Sequence, residues 1–388
     1  MKVLFLSAWY PYRYDKMAGL FVQKHAEAVA LYCDVKLIYV HADEKINDFE
    51  TIISNSKNLT EITVYYPINK KSFFYKLFKI INYIRAYLIG FKLLKKENFK
   101  PDIVHANVLT RTGVIAYIIK LFTGIPYVIT EHWSRYFSQN DNYKGFIRKK
   151  ITEHVIRNAS AVLPVSTVLK NAMINQNLKN DNYQIINNVV DETFFISRQN
   201  SERKKIRLLH VSCFDEKAKN IKGILRAYNK VCKTDFNVEL YIIGNGSDYD
   251  EVFAYYMSLN FEKDKVYFLN EKPREEIARW MNESDFFVLF SNYETAGVVI
   301  AESLVCGLPV LSTNVGIAPD YIKSENGIVI NAGDENALYD AIVFMINNLK
   351  NFNNTEIQEK AQQLFSYKHI GGLVNDIYSK ILNQTNAS

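Results

Sequence analysis

One stretch, Asp285 to Thr313 (DFFVLFSNYETAGVVIAESLVCGLPVLST), most narrows what this chain can fold into. Phe286 to Phe290 is an unbroken apolar run with the length and aromatic content of a strand buried in a parallel sheet. Ser291-Asn292-Tyr293-Glu294 turns out of that strand. Thr295 to Cys306 reads as a helix, stopped by Gly307 with Pro309 just beyond. Val310-Leu311-Ser312 then begins a second strand. In strand–helix–strand units, ligands sit beyond the carboxyl ends of the strands.

Two carboxylates mark that edge. Glu294 precedes the helix and Glu302 follows eight residues later, a little over two turns and about 12 Å along an ideal axis. Both are expected to face one side, with the positive helix end at Ala296 and Gly297 between them. An extended ligand with hydroxyls at both ends and phosphate in the middle suits this spacing. A nucleotide sugar has that shape. Two merely solvated glutamates are the competing reading of the same spacing.

A chain of 388 residues holds two or three domains with ample core for each. The four cysteines, Cys33, Cys213, Cys232 and Cys306, show neither CxxC nor CxxH spacing, so neither a zinc site nor a disulfide framework is expected. Reduced cysteines and the absence of a membrane-spanning run point to the cytoplasm; the longest apolar region, Val114 to Thr130, is broken by Lys120, Gly124 and Pro126. Charge is split unevenly. Residues 1–195 hold 26 Lys and Arg against 16 Asp and Glu, a net of +10. The remaining 21 against 25 give −4, which restores the overall +6. A basic amino half beside an acidic carboxyl half implies that one domain alone meets an anionic surface.

From the amino terminus, Val3 to Ser7 reads as a strand, Pro11 to Gly19 as a loop, Leu20 to Leu31 as a helix and Val35 to Val40 as the next strand. No GxGxxG follows the first strand, which speaks against dinucleotide binding. Lys70 to Lys100 then carries nine basic residues and one acid, Glu97, interleaved with aromatic residues that include Phe73, Phe74 and Phe78. Two readings stand. It is an interfacial helix for an anionic membrane surface, or an amphipathic helix packed on its own sheet with a solvated basic rim. No nucleic-acid module surrounds it, so nucleic acid is not an expected partner. Pro101 to Ala106 is a further strand, Thr112 to Phe122 a helix, and Pro126 to Thr130 a strand that delivers Glu131-His132-Trp133-Ser134 at its carboxyl end. Strands follow at Ala161 to Ser166 and Gln184 to Asp191, a polar linker at Ser197 to Lys205, strands at Ile206 to Ser212, Val238 to Ile243 and Val266 to Leu269, and a helix at Arg274 to Asn282.

Ser291-Asn292-Tyr293-Glu294, seven residues, Glu302, and then Cys306-Gly307-Leu308-Pro309-Val310 resemble the Glu-x7-Glu signature of the family 4 glycosyltransferases. The resemblance runs through the whole chain and is densest from Val238 to Gly333. It implies an α/β protein of the GT-B class, two facing Rossmann-like domains with parallel sheets. The expected boundaries are an acceptor-side domain at 1–196, a nucleotide-sugar-binding domain at 197–365, and a crossover helix at 366–388 that returns to the first domain. The resemblance also implies roles. Glu294 and His132 become the catalytic candidates. Gly19, Lys219, Gly244, Gly246, Ala296, Gly297, Val298 and Glu302 become the donor-binding candidates, with Lys219 at the family's pyrophosphate lysine. Gly19 also reads as a plain turn glycine, and the Gly244-Asn245-Gly246 run, taken alone, as a turn.

Two departures stand out. Family members commonly carry an arginine five or six residues before the lysine, where Ser212, Cys213 and Phe214 stand here, leaving Lys217 or Lys222 to assist. Ile317 occupies the place of a second glycine after Gly316. The implied chemistry is retaining transfer of a sugar from a UDP- or GDP-sugar, with no cofactor and no metal site, onto a saccharide or lipid-linked acceptor. The enzyme is expected in the cytoplasm, with peripheral contact to the inner face of the membrane. A nucleotide-sugar epimerase of the same architecture and a non-catalytic nucleotide-sugar-binding protein remain as other readings.

Overall fold

The structure, a computed structural model, describes residues 1–70, 73, 75–140, 142–196 and 204–387. Lys71, Phe74 and positions 197–203 of the expected linker lie outside the described residues. The chain divides into two compact units: residues 1–165, 170–189 and 367–388 form one, and residues 166–169 with 190–366 form the other.

The first unit is built on a seven-stranded sheet: β1 (Lys2–Ser7), β2 (Asp34–Asp43), β3 (Glu50–Ser56), β4 (Leu59–Pro67), β5 (Ile103–Asn107), β6 (Tyr127–Glu131) and β7 (Ala161–Pro164). The spatial order is β3-β4-β2-β1-β5-β6-β7. Every pairing is parallel except β3 with β4. Its helices are α1 (Leu20–Ala30), α2 (Tyr75–Lys96), α3 (Leu109–Thr123), α4 (Phe146–Asn158), most of α5 (Thr167–Asn175) and, from the far end of the chain, α14 (Tyr367–Ala387). Side chains alternate across a strand, so the sheet presents two apolar faces. Val3, Phe5, Val35 and Leu37 share a buried cluster with Val22 and Val29 of α1 and Ile370, Val374 and Ile377 of α14. On the opposite face Ile38 lies against Gly90 of α2, and Ile129 against Gly113 of α3.

Two features of this unit depart from expectation. Gln184 to Asp191 is not a strand. Its first residues run beside β7, with the Gln184 and Ile186 amides donating to Val162 and Pro164 carbonyls, and then leave it. The buried Asn187 side chain donates to the Val165 carbonyl, so a polar side chain replaces the ladder there. The β3–β4 hairpin, in turn, has no counterpart in the sequence reading. Its turn uses Lys57 at φ 51° rather than an Asn-Gly pair, and β3 is exposed throughout.

The second unit carries six parallel strands: β8 (Ile206–Val211), β9 (Val238–Ile243), β10 (Val266–Leu269), β11 (Phe286–Leu289), β12 (Val310–Thr313) and β13 (Gly327–Ile330), in the order β10-β9-β8-β11-β12-β13. Its helices are α6 (Glu216–Lys219), α7 (Ile221–Val231), α8 (Tyr249–Ser258), α9 (Arg274–Glu283), α10 (Val298–Val305), α11 (Ala318–Tyr321), α12 (Glu335–Asn348) and α13 (Asn354–Phe365). α7 shows why such helices form. Ile221, Ile224, Leu225, Tyr228 and Val231 recur at helical spacing and are all buried, while Lys222 and Lys230 point to the rim.

Both sheets are doubly wound, and each has a strand order that reverses beside a central strand. In the first unit the reversal falls between β1 and β5; in the second it falls between β8 and β11. Crevices outside the carboxyl ends of strands at such reversals are where open α/β sheets bind ligands.

Candidate functional site

At the reversal of the second sheet, the loops after β8 and β11 are tied together by their backbones. The Asn292 amide donates to the Ala218 carbonyl at 2.7 Å, and its side-chain amide to the Lys217 carbonyl at 2.9 Å. Thr313 Oγ1 holds the Ser291 carbonyl at 2.6 Å, and Ser166 Oγ holds that of Thr295 at 2.5 Å. This frame brings two sequence candidates together: Lys219 Nζ donates to Glu294 Oε1 at 2.5 Å, and Ser291 Oγ donates to the same oxygen at 3.0 Å. Both charged side chains are largely withdrawn from solvent, at 15 % and 12 % exposure. Burial alone would lower the Lys219 ammonium, but Glu294, with Cys213 and Asp215 adding, holds it above its ordinary value. A fixed ammonium beside a fixed carboxylate is a preorganised charge pair at a strand end.

The helix beyond Glu294 differs from the sequence reading. It begins at Val298, not Thr295, because Gly297 caps it at φ 66°, a left-handed conformation. Thr295 to Gly297 therefore form a turn, and only Val298 to Glu302 of the interval is helical, about 6 Å of axis rather than 12 Å. A side chain at Gly297 would stand 3.7 Å from Glu294 Cβ and Cγ, so this bare backbone sits directly against the catalytic candidate. The Ala296 carbonyl accepts from Ile317 N at 2.9 Å, which fixes the turn from the other side. Ile317 has φ −87°, open to any residue, and is buried in the core, so the missing second glycine costs the backbone nothing.

Glu302 does not stand open. Arg274, at the start of α9, lies 3.6 Å from Glu302 Oε1 and 3.6 Å from Asp191. The sequence reading missed Arg274 as a partner of Glu302, because only the fold creates its ion pairs.

Gly244 and Gly246 have a steric reason to be glycine. A Cβ at Gly244 would fall 1.9 Å from the Ser212 carbonyl oxygen, and one at Gly246 2.5 Å from the Phe214 backbone. The two loops are hydrogen-bonded at Phe214 N to Asn245 O, 2.9 Å, and Asp248 N to Phe214 O, 3.1 Å. Their glycines therefore let the β9 loop press on the loop that carries Lys219.

The positions open to the missing arginine are unequal. Phe214 is 1 % exposed and stacks on Tyr249 at 5.3 Å, while Cys213 is exposed and close enough to Lys219 to act on its charge. Lys222 pairs with Glu251, away from the pyrophosphate role suggested for it. Cys213 to Lys219 includes the short helix α6, which Asp215 caps, accepting from Ala218 N.

In the first unit, His132 follows β6 as expected, but its ring is buried, packed on Phe21 at 4.5 Å and edge-on to His25 at 5.5 Å. Burial holds the imidazole well below its ordinary value, and His25 and His105 push the same way. Neither ring nitrogen of His132 or His25 has a hydrogen-bond partner in good geometry, and both amide atoms of the buried Asn107 share that condition. Beside His132, Glu131 is wholly buried and accepts from the Leu109, His132 and Trp133 amides and from Tyr136 OH. Burial nonetheless keeps its carboxyl above its ordinary value. Gly19 caps α1 against the Trp9–Tyr10 backbone.

The expected membrane segment forms α2, a single helix from Tyr75. Leu77, Phe78, Ile80, Ile84 and Leu88 are exposed on it, while Ala86, Tyr87, Gly90 and Leu94 are buried against the sheet. Lys70 pairs with Glu44. No described helix is long and apolar enough to cross a membrane, and no group of three or more metal-binding side chains occurs among the described residues.

Comparison with known proteins agrees with this architecture. Over 352 residues the chain is 27 % identical to an uncharacterized glycosyltransferase of Methanocaldococcus jannaschii, covering 90 % of this chain and 89 % of the relative. Sucrose-phosphate synthase from Thermosynechococcus elongatus superposes with a TM-score of 0.75 at 19 % identity, over 99 % of this chain and 100 % of that one. Anabaena HepE in complex with UDP does so with a TM-score of 0.69 at 18 % identity, over 98 % and 100 %. The fold is that of the GT-B glycosyltransferases. The model of glycosyltransferase family 4 matches residues 26–194, and that of the group 1 glycosyl transferases matches residues 191–363. Matched in both halves, the chain belongs to the family 4 glycosyltransferases.

Proposed function

We propose that the chain is a retaining, metal-independent transferase that moves a sugar from a UDP- or GDP-sugar to a lipid-linked saccharide, in the making of a surface polysaccharide or glycoconjugate. The observation that carries this reading is the Lys219–Glu294 pair, fixed at the strand reversal beside the bare backbone of Gly297 and the positive end of α10. In transfer, the bond from the anomeric carbon to the diphosphate oxygen breaks, and a bond to the acceptor oxygen forms on the same face. The acceptor proton passes to the leaving diphosphate. Lys219 and the Gly297–Val298 amides oppose the charge that grows on the diphosphate. Glu294 sits where it can hold sugar hydroxyls and stabilise a cationic anomeric centre, and Glu302, once released from Arg274, the ribose hydroxyls. The UDP bound to Anabaena HepE supports a uridine donor. The exposed apolar stripe of α2 among lysines supports an acceptor presented at an anionic membrane.

Thermal shifts with UDP-, GDP- and ADP-sugars identify the donor, since a ligand at a hundred times its Kd adds about 2.7 kcal/mol to stability. Donor turnover is then measured with and without lipid-linked saccharide, in buffer and in EDTA. Acceptor-stimulated release that survives EDTA supports the reading. Epimer formation without acceptor, or binding without any turnover, replaces it.

A further inference from the structure

The strand reversal of the first unit holds a second polar pocket, which no part of the donor chemistry uses. A cavity of about 130 Å³ opens there, lined by Ala8 and Trp9 after β1, Val108, Thr110 and Arg111 after β5, Trp133 and Arg135 after β6, and Arg148 on α4. Three of these eight residues are arginines, and none is acidic. Arg135 is 6 % exposed; its guanidinium lies over Trp133 and donates once, from Nη1 to Thr110 Oγ1 at 3.0 Å. Its Nε has no partner. Among the described residues no carboxylate lies within 4.0 Å of Arg111, Arg135 or Arg148. Burial lowers the Arg135 guanidinium; Tyr136 and Glu131 act the other way, and Arg148 and Arg111 push it down again. Glu131, which acts on Arg135, already accepts from four donors.

Three like charges gathered around a concave site, one of them desolvated and under-bonded, cost free energy unless an anion joins them. The backbone adds a second sign. Val108 sits at φ 68°, a strained position for a β-branched residue, and turns β5 into the amino end of α3 at the cavity wall. The amino end of that fifteen-residue helix supplies Thr110 and Arg111 to the same wall. Trp9 and Trp133, 5.0 Å apart, supply flat apolar surface beside the charges.

We propose that this pocket binds a phosphate or diphosphate group of the acceptor, so that the transferase acts on a phosphorylated saccharide. The inference rests on the reading of the chain as a glycosyltransferase and names the acceptor class. A single carboxylate occupies one guanidinium fork. Three guanidinium groups match the two or three charges of a phosphate monoester or diphosphate. Phe146 and Ile147, exposed at 76 % and 74 %, precede Arg148 on α4 and offer apolar surface of the kind a prenyl chain would follow.

The chain has three tryptophans, and two of them line this pocket. Trp280→Phe therefore leaves only Trp9 and Trp133 as reporters. In that background, fluorescence is titrated at 0.15 M salt with inorganic phosphate, pyrophosphate and malonate, and with neutral vesicles with and without a polyprenyl phosphate. Expected are saturable changes with pyrophosphate and with polyprenyl phosphate vesicles, weakened at least tenfold by Arg111→Gln with Arg148→Gln and unchanged by Lys219→Ala. Response to free pyrophosphate alone assigns a soluble phosphorylated acceptor, and response to the vesicles as well assigns a lipid-linked one. No saturable change up to millimolar concentrations, preference for malonate, or loss in Lys219→Ala with retention in the arginine variant overturns the proposal. Failure of the transferase reading registers separately, as absent donor binding in the thermal-shift panel, because these titrations contain no donor.

Discussion

The two units answer the same problem, polar groups at the carboxyl edge of a parallel sheet, in opposite ways. In the second unit the charges are paired within the protein: Glu294 with Lys219 and Ser291, and Arg274 with Glu302 and Asp191. In the first unit His25, His132, Asn107 and Arg135 are buried with atoms left without partners. Their outer surfaces differ as well. The first exposes Phe78, Ile80, Ile84 and Leu88 on α2 and Phe122, Phe146 and Ile147 on α3 and α4, whereas the second exposes fewer, Phe253 and Met257 on α8, Phe344 on α12 and Leu364 on α13. A paired site holds its geometry before ligand arrives; an under-bonded one gains most when ligand supplies the missing partners. The contrast fits one unit with a fixed donor chemistry and another shaped around a particular acceptor.

The largest effects should come from the paired side. Glu294→Gln is expected to lower kcat several hundredfold, as for loss of one preorganised electrostatic contact. Lys219→Ala should nearly abolish donor binding. Both variants also break a buried pair, at a cost of roughly 3 kcal/mol, so kcat is to be measured on protein verified as folded by circular dichroism. Near-normal turnover in Glu294→Gln would move the chemistry elsewhere.

The loop that departs from the family pattern gives the next largest effect, with two outcomes from neighbouring positions. Phe214→Arg puts a charge into the stack with Tyr249 and should cost roughly 4 kcal/mol or more in urea unfolding. Cys213→Arg, exposed beside Lys219, should leave stability unchanged and tighten UDP or GDP binding. Equal stability of the two variants would show that the loop packs otherwise than described.

The apolar surfaces can be set against each other by vesicle co-sedimentation. Lys76→Gln with Lys79→Gln should weaken binding to anionic vesicles roughly thirtyfold, at about 1 kcal/mol per basic residue. Binding should also fall with salt. Lys70 should matter less, because it already pairs with Glu44. Met257→Ser with Phe344→Ser should change nothing. Loss of binding in this last variant, with none in the lysine variant, would transfer the membrane contact to the second unit.

The smallest effect is in acid. His25 and His210 are lowered by burial to about 4, and His105 and His132 lie well below their ordinary value. Such groups are neutral when folded and take up a proton when unfolded below about pH 6.5. Their stabilising contribution is complete above that pH and is lost as pH falls toward 4, by at most about 1.4 kcal/mol per group and pH unit. Glu131 in the first unit and Glu216 in the second, both raised by burial, work against the trend. Three of the four histidines belong to the first unit. Its unfolding, followed by Trp9 and Trp133 fluorescence with Trp280→Phe, should shift more between pH 7 and 5 than the second unit's. A flat profile would mean that these imidazoles do titrate in the folded protein.

The sequence by itself determined the strands and their helices, because burial on two faces leaves an apolar run and burial on one face leaves a 3.6-residue period. β11, α9 and β12 lie within a residue or two of their expected ends for that reason. It also marked Glu294 by local spacing, and Lys219 and the glycines through the family resemblance. Local spacing has no access to what the chain brings together across long separations, and there the tertiary structure decided. Gly297 starts α10 three residues late because its left-handed backbone is fixed by Ile317 donating to Ala296. Glu302 is tied to Arg274 by the packing of α9, and the ladder stops at Asn187 because its side chain takes the Val165 carbonyl. Arg111, Arg135 and Arg148 form one cluster only because the segments that follow β5 and β6 come together at the same sheet reversal, and charge convergence of that kind has no period in the sequence.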